Sequence, residues 1–261
     1  MTDAEMTAAD RALWRVVDPS SHKNQPGDAQ RCIAAGANVN CQRPRGWPDD
    51  DGSGYRETPL SIATAWHTPK LVKMLLEHGA DTGFITTFGE RTILHIAALH
   101  DRAENAGMLI EAGASVEQKE TVEGWTALHL AVYKSHRHHK TVRLLLAKGA
   151  NVNATDDAGR TPLYIALEGA LPRFQHDLIR ILLASGADLS AKTFDGRSPH
   201  DFAKEQRRPY RQDLCFLEQL LETERVRRAV AFAMGQQERL GGQSWVQHLE
   251  PGVVRMVLQY V

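Results

Sequence analysis

Twelve histidines make the chain look rich in metal ligands, and the densest run is His136-Arg137-His138-His139. Side chains adjacent on a turn diverge, Arg137 sets a fixed charge among them, and no cysteine or carboxylate follows at a zinc-site spacing. A solvated loop is the better reading. The acidic run Asp49-Asp50-Asp51-Gly52-Ser53-Gly54 has some look of a calcium loop but lacks the alternating ligands and the closing Glu. It reads as a charged loop tip. Cys32, Cys41 and Cys215 are odd in number and widely spaced, which points to free thiols in a reducing compartment. No Gly-rich phosphate loop, nucleophile elbow or Cys/His pair with an orienting third group occurs. The expectation is therefore a protein without catalytic centre, metal or cofactor.

The chain as a whole points the same way. Its 261 residues can bury a sizeable core, and 31 basic against 32 acidic residues leave no positive field to draw in nucleic acid or an anionic membrane. The first ten residues carry Asp3, Glu5 and Asp10 without a basic flank or apolar run, so no secretory signal is expected there. No segment approaches 18 uninterrupted apolar residues. A cytoplasmic or nuclear location is expected.

What organises the chain is self-similarity. Glu57-Thr58-Pro59-Leu60-Ser61-Ile62-Ala63 returns as Arg91-Thr92-Ile93-Leu94-His95-Ile96-Ala97, as Trp125-Thr126-Ala127-Leu128-His129-Leu130-Ala131 and as Arg160-Thr161-Pro162-Leu163-Tyr164-Ile165-Ala166. A weaker copy is Arg197-Ser198-Pro199-His200-Asp201-Phe202-Ala203, and the Thr/Ser positions lie 34, 34, 35 and 37 apart. In phase with them run Gly79-Ala80-Asp81, Gly113-Ala114-Ser115, Gly149-Ala150-Asn151 and Gly186-Ala187-Asp188, with an earlier copy at Gly36-Ala37-Asn38. Threonine is a good helix N-cap, and proline in the next position needs no donor. Leu and Ala three residues on share one face, and the small Ala lets helices approach closely. Glycine then ends a second apolar helix in the left-handed conformation. Each period predicts helix, turn, helix, loop.

Thr-Pro-Leu-His-x-Ala, a Leu-Leu-x-x-Gly-Ala-Asp/Asn close and a spacing near 33, recurring in phase, resemble ankyrin repeats. The likeness covers roughly residues 8–221: four good units, a degenerate first one from Ala8–Val17 and Asp28–Ala35, and a degenerate last one from Asp195 to Leu221. It implies an all-α ankyrin-repeat solenoid of about six helix-turn-helix units, here 1–221; the repeat signal ends there, and the pattern of 222–261 reads as a C-terminal helical extension. Three departures carry information. Ser61 replaces the usual His, a long finger insertion spans 41–54, and Ser135–His139 and Gly169–His176 lengthen two units, expected to bulge at the helix–helix turns.

The resemblance also implies function, namely a non-enzymatic scaffold that binds another protein through fingertips and the outward positions of the first helices. Carried over residue by residue, this selects Arg91, Trp125, Arg160 and Arg197 before the caps, and Trp66, His100, Tyr133 and Lys134 on the first helices. Trp47 in the long finger joins them. Trp, Tyr and Arg dominate interface energetics. His95 and His129 fall at the family's capping position, a structural role, and Asn153 falls where asparagine hydroxylases modify such proteins.

In the extension, Glu222–Gly235 reads as a helix and Gly241-Gly242 as a break. Leu249-Glu250-Pro251 then opens a last helix with Val253, Val254, Val257, Leu258 and Val261 in one stripe. Packing onto the solenoid is its expected use. The segment also resembles the opening helix of F-box motifs, which implies an alternative: a substrate-recognition adaptor docking a cullin ligase adaptor through Leu249, Pro251, Val254, Val257 and Leu258.

Overall fold

The structure, a computed structural model, describes residues 6–18, 26–43, 57–66, 69–86, 90–134, 139–168, 172–199 and 201–202. The chain divides into two units, Met1–Pro199 and His200–Val261. Nearly all of the second lies outside the described residues, and with it the expected extension, its last helix and the boundary at 221. The finger insertion beyond Arg43, Trp47 included, and residues 135–138 of the histidine run lie outside them too.

Among the described residues the first unit is ten α-helices: α1 (Ala8–Val17), α2 (Pro26–Ala34), α3 (Pro59–Trp66), α4 (Pro69–Glu77), α5 (Ile93–Leu99), α6 (Ala103–Glu111), α7 (Ala127–Tyr133), α8 (Lys140–Ala147), α9 (Pro162–Glu168) and α10 (Pro172–Ala184). Each odd helix packs on the even helix that follows it. The odd helices also stack in order, α1 on α3, then α5, α7 and α9, while α2, α4, α6 and α8 form a second stacked row. This is the repeating hairpin solenoid that the periodicity predicts.

The repeated residues build it directly. Leu60, Leu94, Leu128 and Leu163 are fully buried, and Ala63, Ala97, Ala131 and Ala166 lie buried beside them, so the first helices meet through methyl groups and approach closely. Leu71, Leu75, Leu109, Leu145, Ile179 and Leu182 supply the matching face of the second helices. Every second helix closes alike. At α8 the Gly149 N–H reaches Leu146 O (3.1 Å) and the Ala150 N–H reaches Leu145 O (2.9 Å), with Gly149 at φ 87°. That pair of bonds satisfies carbonyls the helix end would otherwise orphan.

Between hairpins the fingers touch one another. Asp157 N–H donates to Glu123 O (3.0 Å) and Phe194 N–H to Ala158 O (3.0 Å). Gly124 makes the first contact possible, since a Cβ there would fall 2.1 Å from Asp157 Oδ1.

One expectation needs correcting. The extra residues of Gly169–His176 do not all bulge at a turn, because the helix already begins at Pro172 and α10 runs 13 residues against 8 or 9 in α4, α6 and α8. Proline is well suited to a first helical position, and no breaker follows it before Gly186. The added length lies in the helix.

Candidate partner-binding face

The face is held by caps that also tie neighbouring units together. Thr92 N–H donates to His95 Nδ1 (3.2 Å), and His95 Nε2 lies 3.0 Å from Trp125 O in the next unit. A carbonyl only accepts, so Nε2 carries the proton and Nδ1 is the acceptor. Thr126 and His129 repeat the arrangement, with His129 Nε2 at 3.2 Å from Arg160 O. Burial pushes both imidazoles down to about 4, so they are neutral at pH 7. Ser61 closes its own cap, donating to Thr58 O (2.9 Å) and accepting from Thr58 N–H (3.0 Å), both within one turn. Its side chain is too short to reach the next unit as the imidazoles do.

On the odd helices, one register position lies at the end of each first helix. Trp66 ends α3, His100 caps α5 and Lys134 caps α7, each eight residues after its cap threonine. All three side chains are exposed, Trp66 at 62%. Trp66 and His100 ring centroids are 5.9 Å apart. Partial burial lowers the His100 pKa, and the charges of Arg102 and Lys134 lower it further. Arg102 Nε donates to Ala65 O (3.1 Å) and Asn105 Nδ2 to Thr64 O (3.1 Å), so the start of α6 caps the end of α3 beneath Trp66. Tyr133 is 51% exposed, with Lys134 Nζ 5.3 Å from its ring centroid.

Trp125 sits differently from the expectation of an outward contact. It is only 8% exposed; its Nε1 donates to Asp156 Oδ2 (3.1 Å), and its indole stacks on His129 and meets Tyr133 edge-on at 5.2 Å. It forms the wall behind Tyr133. Arg160 lies over its ring at 5.9 Å and is bound to Asp156 (2.7 Å), Glu168 (3.1 Å) and Glu123 (2.8 Å). Burial opposes the Arg160 charge, but the hydrogen bond and charge of Asp156, with Glu168 and Glu123, outweigh it and raise the pKa. Arg91 is half-buried, while Arg197 is exposed and paired with Asp195 at 3.3 Å. The row thus gathers Trp66, His100, Tyr133 and Lys134, with Trp125 and Arg160 joined behind them. The pattern before the caps did not reveal Asp156, Glu123 and Glu168; the one sequence signal is an acid four residues ahead of Arg160.

No group of His, Cys, Asp and Glu suited to a metal occurs among the described residues. Cys32 and Cys41 are free thiols, and burial pushes the Cys41 thiol up to about 12, which makes it inert. No described helix is long and apolar enough to cross a membrane.

A profile of ankyrin repeats (three copies) matches residues 21–120 and 115–193. The chain belongs to the ankyrin repeat family. Among curated relatives, the ankyrin repeat protein FPV031 of fowlpox virus is 36% identical over 43% of this chain and 33% of its own length. Human B-cell lymphoma 3 protein is 32% identical over 50% of this chain and 29% of its own. Bovine ankyrin repeat and SOCS box protein 3 is 30% identical over 61% and 29%. The matched stretch thus spans about a third or less of each relative. Asn153 in this ankyrin chain clips two units, its Nδ2 donating to Gly186 O (3.0 Å) and its Oδ1 accepting from Asp188 N–H (2.8 Å). Asn40 does the same with Gly79 and Asp81.

Proposed function

We propose that this ankyrin repeat protein is a non-enzymatic scaffold that binds another protein through the ends of its first helices and the adjoining fingers. Trp66, His100, Tyr133 and Lys134 are the central contacts. Arg91, Arg160 and Arg197 border them, Trp125 supports Tyr133 from behind, and Trp47 belongs to the finger insertion. The observation that carries the reading is the exposure of two large aromatics, Trp66 at 62% and Tyr133 at 51%, in one row with exposed basic groups. A folded surface gains nothing from exposing Trp and Tyr together, whereas interfaces concentrate their energy in such side chains. The pair Trp66→Ala and Tyr133→Ala, introduced together, is expected to keep the helical circular dichroism spectrum and lose the partners captured by the unaltered chain. Unchanged capture contradicts the proposal.

A second reading is a substrate-recognition adaptor of a cullin-type ubiquitin ligase, docking through Leu249, Pro251, Val254, Val257 and Leu258. It draws support from the F-box-like pattern of that segment and from relatives whose names pair ankyrin repeats with a SOCS box. Deleting residues 245–261 tests it. A soluble protein that loses a cullin adaptor in pull-down supports docking, and a protein that turns insoluble supports a packed cap.

A further inference from the structure

The charges along the face are unequally engaged. Arg160 meets three carboxylates, so at the end of the face built by α9 and its finger each of these acidic groups is already paired. On the preceding units, Lys134 and Arg102 make no ion pair among the described residues; Lys134 Nζ lies 5.3 Å from the Tyr133 ring, and Arg102 Nε donates to Ala65 O, next to Trp66 in the chain. The carboxylate next to His100 in the chain, Asp101, is turned to the start of α8, where its Oδ1 accepts from Thr141 Oγ1 (2.7 Å) and Thr141 N–H (3.3 Å). Trp66 and Tyr133 flank these basic groups with exposed aromatic surface.

We infer that the stretch from Trp66 to Tyr133 receives an acidic polypeptide segment, its carboxylates facing Lys134 and Arg102 and its apolar side chains lying on Trp66, the neighbouring His100 ring and Tyr133. The inference rests on the partner-binding reading of this face and adds the chemistry of the partner. Complementary charge steers encounter and fixes register, and the desolvated aromatic contacts slow release. A basic segment would instead have to compete with Arg160 for Glu123 and Glu168, which are already paired. The acidic segment is therefore the favoured occupant.

The test uses the full chain and two acetylated, amidated peptides, EELEEFEE and its lysine twin KKLKKFKK, with binding followed by isotope-edited NMR of the Trp66 indole and Tyr133 ring. The acidic peptide is expected to shift both signals, to bind about tenfold more tightly than its twin at low salt, and to weaken as salt rises. Lys134→Glu, at an exposed position, is expected to keep the fold and reverse the preference. If the lysine twin binds more tightly at the same two signals, or Lys134→Glu leaves the preference unchanged, the acidic chemistry is overturned while the face stands. If neither peptide moves Trp66 or Tyr133, both the chemistry and the face are overturned.

Discussion

His95 and His129 show how a side chain that looks catalytic becomes structural. Each imidazole accepts from its own threonine and donates to a carbonyl of the following unit, and burial holds it neutral with a pKa of about 4. In the unfolded chain both titrate near 6.5, so between about pH 6.5 and 4 the unfolded state binds more protons. Their contribution is then full above about pH 6.5, falls as pH drops through that window and is spent below about pH 4. Each is expected to cost roughly 3 kcal/mol across it, read by urea unfolding at stepped pH. The variant His129→Gln should flatten the slope. Arg160→Ala makes a second prediction. It strips one ion partner from Asp156, whose side chain is fully buried, and is expected to cost about 1–3 kcal/mol. Glu168→Ala, at the exposed side of the same network, is expected to cost under about 1 kcal/mol. The capping role of the two histidines was legible because it recurs in phase with threonine. The position of Trp125 was not, because its burial depends on Asp156, 31 residues away, and on stacking against His129.

At the scale of helices and turns, the period was legible because one local code repeats: a cap, an apolar face and a terminating glycine. Helix length was less so. The extra residues of the fifth unit pass into α10 because Pro172 offers an early start, and a count of residues between markers cannot tell a longer turn from a longer helix. The terminating bonds predict a measurable penalty. Gly149→Ala forces a methyl onto a residue at φ 87° with open space around it, so the cost is conformational and is expected near 1 kcal/mol by denaturant titration. Leu145→Ala, at a fully buried site on α8, is expected to cost about 2–5 kcal/mol. The contrast separates turn strain from core loss.

Across the first unit, each hairpin leans only on its neighbours, and the links between them are short: an imidazole to a carbonyl, an asparagine amide across a loop, one finger bond to the next. Such a body presents a surface assembled from equivalent positions on successive units, which is why Trp66, His100 and Lys134 form a row although 34 residues separate each from the next. That row was legible as a register, and its charge balance was not, since the partners of Arg160 come from three separate places in the chain. Hydrogen–deuterium exchange of the full chain, with and without its captured protein partner, tests the central claim most directly. Protection gained at 65–66, 99–102 and 132–134 is the expected result. Protection confined to the outer helices α4, α6 and α8, with those segments unchanged, would contradict it.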